Sequence, residues 1–142
     1  MSRPTSRFRR QHRDLSHKAS ELTKLAMTPG TDATVILRSL RRFIGALRVH
    51  STMETEALYP VLLMHDDASI RDRASELYDE LGPLYSLMED FVLRWPDAPS
   101  IDARRIRFRI ELTRVLAKLG WRMRKENKEL YPMADAELDV PA

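Results

Sequence analysis

At 142 residues, 43% hydrophobic and 32% charged, the chain can bury one sizeable core but is too short for two ordinary domains, so a single globular domain over residues 1–142 is expected. The absence of cysteine excludes disulfide staples, thiolate metal sites and cysteine nucleophiles, and leaves nitrogen and oxygen to hold any metal. The net charge of +3 conceals a partition: residues 1–50 carry eleven Lys and Arg against three acids, residues 51–100 three against eleven, and residues 101–142 ten against seven.

In chain order, four segments show helical spacing of their apolar residues, and none alternates with the period of a strand. The first, about Thr5 to Met27, sets Phe8, His12, Leu15, Ala19 and Leu22 on one stripe and stops at TPGT, after which Thr31 offers a hydroxyl as the next cap. The second places Ile36, Leu40, Phe43, Leu47, His50, Glu54 and Leu58 at steps of three and four, so the histidine and glutamate continue the apolar face and should be buried. Pro60 is expected to break or kink this helix. Asp66 or Asp67 can cap the third segment, which carries Leu77, Leu81, Leu84, Leu87 and Phe91 and should kink at Gly82-Pro83. The fourth begins near Ser100 and runs through Phe108, Leu112, Val115, Leu119, Arg122, Glu126 and Leu130, closing a core of about 5–133 before an acidic tail at 134–142.

Sliding the fourth segment onto the second at an offset of 72 superposes Ile36 on Phe108, Leu47 on Leu119, His50 on Arg122, Glu54 on Glu126 and LYP on LYP. The same offset sets His12 over Leu84. The chain therefore reads as two repeated helical hairpins, which close most economically as an all-α, antiparallel, up-and-down four-helix bundle.

A His and a Glu four residues apart lie about one turn from each other on a helix face, near enough to share an ion at roughly 2.0–2.2 Å, and His12 could supply a third ligand from a neighbouring helix. H-x3-E-x3-LYP, preceded by a lone His on the first helix and repeated once, resembles the hemerythrin-like (HHE cation-binding) family over essentially the whole chain. That resemblance implies a non-haem di-iron centre held by a His, His, Glu set from each hairpin, in proteins that bind, handle or sense oxygen, nitric oxide or iron. Carried over by position, it makes His12, His50, Glu54 and Glu126 metal-ligand candidates. Leu84 stands at a lost ligand position, and Arg122 places a fixed charge where a histidine is expected.

A divalent ion about 5 Å from a guanidinium would meet roughly 7 kcal/mol of repulsion at an effective dielectric near 20, so an intact di-iron centre is not expected. Arg122 could instead replace the cation, its fork holding Glu126, Glu54 or both, with the residual negative charge keeping His50 or His12 protonated. The expected cofactor is accordingly none, or one weakly bound ion. Substitute ligands fit poorly: His17 and Glu89 stand about 140° round their helices from His12 and Leu84. His65 suits a capping role, Met53, Met88 and Met123 suit core filling, and Tyr59 and Tyr131 suit anchoring the bundle end.

The function these features favour is a non-enzymatic regulatory, sensory or protein-interaction module, the alternative being an oxygen-, nitric oxide- or iron-responsive protein built on one iron or zinc. Phosphotransfer through His17 in DLSHKASEL is a weaker third reading, with no ATP-binding segment beside it. No nucleophile and base pair or glycine-rich phosphate loop suggests an independent enzyme. The charge dipole suits a protein partner, with a homo-oligomer possible; stretches such as LRSLRRF and ARRIRFR read as solvated helix faces before they read as nucleic-acid sites. No apolar run long enough to span a bilayer and no apolar segment behind the basic N-terminus is present, so a cytoplasmic protein without membrane contact is expected.

Overall fold

The computed structural model describes residues 3–138, with every side chain in that span except those of residues 81–85. Among these residues the chain is helical and forms no strand. Helix α1, Ser6–Met27, buries Phe8, His12, Leu15, Leu22 and Ala26 along one stripe. Gly30 at φ +80° then turns the chain into α2, Ala33–Met53, a conformation that costs a residue without Cβ little. Thr31 is not the cap: Asp32 accepts the Thr34 N–H at 2.8 Å, while the Thr31 hydroxyl donates back to Thr28 O at 3.0 Å. A carboxylate suits this end better than a hydroxyl because the helix N-terminus carries partial positive charge.

Pro60 does not break the second segment. Glu54–Leu58 form one π-helical turn, and the helix resumes as α3, Tyr59–Leu63. Proline lacks an N–H and its ring would strike the carbonyl four residues earlier. The wider turn, in which Tyr59 N–H reaches Glu54 O, takes up one extra residue and lets the helix continue.

Asp67 caps α4, Ala68–Arg94, through the Ser69 N–H, and the helix passes Gly82-Pro83 without ending. The last segment starts differently from expectation: Asp97 caps a short α5, Ala98–Ala103, and Arg104 at φ −142° separates it from α6, Arg105–Lys125. A second π-turn, Glu126–Leu130, repeats the first, with Tyr131 N–H on Glu126 O, and leads into α7, Tyr131–Glu137. The chain is thus ordered past Met133. Ala134 is fully buried, and Asp135 accepts from Thr5 N at 3.0 Å, Thr5 Oγ1 at 2.7 Å and Arg9 Nη2 at 3.0 Å, tying α7 to the start of α1. Residues 139–142 of the expected tail lie outside the described residues.

Helix α1 packs on α2 and α6, and α4 packs on α3 and α6. Two apolar clusters result, one containing Leu15, Phe43, Leu47, Trp95, Phe108 and Leu119, the other Phe8, Leu58, Tyr59, Leu77, Leu130 and Tyr131. Three of the helical stretches that cross from one cluster to the other carry buried polar residues at the crossing. His12 lies between Phe8 and Leu15, His50 and Glu54 between Leu47 and Leu58, and Arg122 and Glu126 between Leu119 and Leu130. Each large apolar side chain buried in these clusters contributes about 1.5–3 kcal/mol, which offsets the desolvation of the polar layer between them. Among the described residues no helix is long and apolar enough to cross a membrane.

Candidate metal centre

Five ionisable side chains form that polar layer, and their relative exposures of 4% for His12, 3% for His50, 1% for Glu54, 3% for Arg122 and 2% for Glu126 exclude bulk water from it. His12 projects from α1 and His50 from the last turn of α2. Each glutamate is the first residue of a π-turn. One ligand atom from each of His12, His50, Glu54 and Glu126 lies within 4.8 Å of all the others.

The histidine rings are held in a defined orientation. His12 Nδ1 donates to Asn127 Oδ1 at 2.9 Å and His50 Nδ1 to Gln11 Oε1 at 2.7 Å, so each ring turns its Nε2 inward. The two Nε2 atoms stand 3.0 Å apart, with Glu126 Oε1 3.2 Å from His12 Nε2 and Glu54 Oε1 2.8 Å from His50 Nε2. Tyr131 Oη lies 2.9 Å from His12 Nε2 and 3.0 Å from Glu54 Oε2, and its single proton can serve only one of them at a time. Two imidazole nitrogens and two carboxylates thus converge on one buried space, a donor set that suits one cation.

Burial pushes Glu54 up to about 7, and the same cause, reinforced by the neighbouring Glu54 carboxylate, pushes Glu126 up to about 7. His50 moves the other way, down to about 4, because burial outweighs the attraction of Glu126. Tyr131 is held well above the ordinary phenol range by burial and by both carboxylates. For His50 the expectation that residual negative charge keeps it protonated is therefore reversed, because desolvation outweighs that attraction.

Arg122 also departs from expectation. Its Nη2 donates to Tyr59 Oη at 2.5 Å, while Nε stays 3.7 Å from Glu126 Oε2 and Nη1 stays 3.8 Å from Glu80 Oε2. Glu80 itself is held by Lys125 Nζ at 2.8 Å. The guanidinium forks neither Glu54 nor Glu126: it spends its one short bond on Tyr59 and keeps Glu126 as a looser ion pair one turn away. Its charge lies close to Glu126 without occupying the space between the four donors. Leu84 belongs to the stretch whose side chains lie outside the described residues.

A family description, the hemerythrin HHE cation-binding domain, matches residues 3–134. The chain belongs to this family. No curated protein and no solved structure matches it. Within this hemerythrin domain, His12, His50, Glu54 and Glu126 are the residues that would hold an ion, and they fit one: two inward imidazole nitrogens and two carboxylates, buried and acceptor-rich. When bound, such an ion supplies a Lewis-acidic and, for iron, redox-active centre. A second position would rest on Glu126, Arg122 and Leu84, and neither a guanidinium nor an alkyl group can coordinate.

Sequence reasoning missed four of the site's residues. Tyr131 and Tyr59 follow Glu126 and Glu54 by five positions, which on an α-helix is about 140° away. The π-turn absorbs one residue and swings each tyrosine back by about 100°, toward its glutamate's face. The twin LYP was the available signal. Gln11 and Asn127, each beside a candidate ligand in sequence, left no signal, since their partners sit on other helices. His17 and Glu89 are exposed, His65 accepts the Asp67 N–H at 3.0 Å, and Met53, Met88 and Met123 pack in or against the apolar clusters.

Proposed function

We propose that this chain is a one-ion hemerythrin domain, an antiparallel up-and-down four-helix bundle of two hairpins in which one hairpin's metal half is kept and the other's is replaced by Arg122. The observation that carries this reading is the pair of amide anchors, Asn127 and Gln11, which turn both histidine Nε2 atoms toward the two carboxylates. The two Nε2 atoms so presented stand 3.0 Å apart, each beside a carboxylate oxygen. With two glutamates and one arginine in the layer, a divalent ion brings the formal sum to −2 + 1 + 2 = +1, whereas two ions would raise it to +3 beside a guanidinium.

Chemically, the domain acts as a sensory or regulatory module, not as an enzyme. Its centre lacks a nucleophile and base pair, and its ligands are enclosed by two apolar clusters. Gain or loss of the ion changes the charge of a layer shared by α1, α2 and α6, which gives a packed core two states for a partner protein to read. A candidate docking face is the outer side of α6, where Ile106, Ile110 and Trp121 are 72%, 41% and 49% exposed among Arg107, Arg114, Lys118 and Arg124. A cytoplasmic setting agrees with the absence of cysteine.

Elemental analysis of protein purified from cells supplied with iron and zinc tests the reading. One ion per chain is expected, with no oxo-bridge absorption in the near ultraviolet. Two ions per chain, or a fully folded protein that takes up none at neutral pH, would overturn it.

A further inference from the structure

Four buried side-chain polar atoms have no hydrogen-bond partner among the described residues: Ser51 Oγ, Arg122 Nε, Arg122 Nη1 and Glu126 Oε2. All belong to residues on the wall of one cavity of about 20 Å³, whose lining also includes His50, Glu54 and apolar groups such as Phe43 and Leu119. Leaving a buried donor or acceptor unpaired costs about 1–3 kcal/mol, so four such atoms around one space are a strong demand for a guest. Their chemistry specifies it. The guest must accept from guanidinium N–H groups, donate to a carboxylate oxygen and do either with a serine hydroxyl. An apolar molecule meets none of these needs, and an anion would face the Glu54 and Glu126 carboxylates. One water, or a hydroxylic molecule of its size, fits both the bonding and the volume, since a polar cavity above about 10–15 Å³ can hold a water with two to four partners.

The route in is also defined. A groove of about 310 Å³ runs between α2, the first π-turn and α4, and it shares Leu47 and Ser51 with the interior cavity. Ser51 is only 8% exposed, yet it lines both spaces. Thr52 and Thr55 stand at the groove's polar lip, and Ile44, Met88 and Val92 form its apolar wall.

We infer that Ser51 is the inner gate of a solvent path: the α2–α4 groove is a vestibule leading past Ser51 to a site that binds one water-sized hydroxylic molecule between Arg122 and Glu126. The site does not depend on an ion being held, and it gives Arg122 a positioning role beyond charge replacement. Water that reaches it arrives beside Glu126.

The test uses the full chain with water as the probe. Water-to-protein NOE spectra in solution should show a long-lived water close to the Ser51 β-protons and Leu47 methyls, and a high-resolution crystal structure should place one oxygen within hydrogen-bond distance of Ser51 Oγ, an Arg122 nitrogen and Glu126 Oε2. Ser51→Val, which fills the space, should abolish those NOEs with helix content unchanged. Should that variant fail to fold, Ser51→Ala must retain the water but lose its contact to position 51. Thr55→Trp, placed on the lip and outside the core, should lengthen the residence time of the same water. A cavity filled by a rotated Arg122 with all its nitrogens paired would overturn the site, and an unchanged residence time in Thr55→Trp would overturn the path.

Discussion

The two halves of the sequence repeat share backbone features and differ in chemistry. Each presents a glutamate at the first residue of a π-turn and a Tyr-Pro pair where the α-helix resumes, at matching positions 72 residues apart. Their side chains diverge around that frame. Where the first hairpin has His12 and His50, the second has Leu84 and Arg122. The offset extends the difference to the anchors, since Gln11 and Asn127 correspond to Pro83 and Thr55. The first half thus supplies His12, His50, Glu54 and the Gln11 amide, whereas the second supplies only Glu126 and the Asn127 amide. Backbone features persist because proline dictates them locally, whereas a metal half needs ligands and anchors from several helices together, and loss of any one removes the value of the rest.

Removing the intact half should have the largest effect. His50→Ala is expected to abolish stoichiometric metal binding while circular dichroism keeps its helical signal; metal retained at one ion per chain would place the site elsewhere. Rebuilding the other half tests the same asymmetry in reverse. Leu84→His combined with Arg122→His should raise metal content above one ion per chain, but the second ion should bind more weakly than the first, because Pro83 has no side-chain hydrogen-bonding group and Thr55 no amide to match Gln11 and Asn127. Equal affinities in a competition titration would show that the anchors matter little.

Glu126→Gln separates stability from binding. The folded-state values of Glu54 and Glu126 lie near 7, above the 4.5 of an unperturbed glutamate, so in metal-free protein the fold binds more protons than the unfolded chain and loses stability as pH rises from about 4.5 through 7. His50 opposes this, its folded value near 4 lying below 6.5, so its contribution grows as pH rises between those limits. At pH 8 both glutamates are ionised against their burial. Removing one charge should stabilise metal-free protein by about 1–3 kcal/mol in urea melts while eliminating tight metal binding. A destabilised variant would mean that Arg122 and His12 stabilise the ionised carboxylate more than burial penalises it. Smallest is the anchor effect: Asn127→Ala should weaken metal affinity about tenfold, the low end for loss of a ligand's orienting partner, with little change in metal-free stability.

Much of this molecule was legible in local pattern. Apolar spacing placed the helices, put His50 and Glu54 on a buried face, and exposed the repeat that set Arg122 against His50. The termini of elements were less legible. Asp32 displaced Thr31 as a cap because adjacent residues compete for one helix end, and the four residues after Met133 are ordered because Asp135 meets Thr5 and Arg9, more than 120 positions away.

From its own order of residues, the chain determined that it is helical, that it repeats, and that two of six template positions carry no metal donor. Those properties depend on spacing within single segments, where periodicity and covalent chemistry suffice. Tertiary structure alone decided that Arg122 bonds Tyr59 while staying in ion-pair reach of Glu126, that Gln11 and Asn127 aim the histidines, and that burial holds His50 below its ordinary value. Each of these depends on distances between helices and on the exclusion of water from the layer they share, quantities that a linear pattern does not carry.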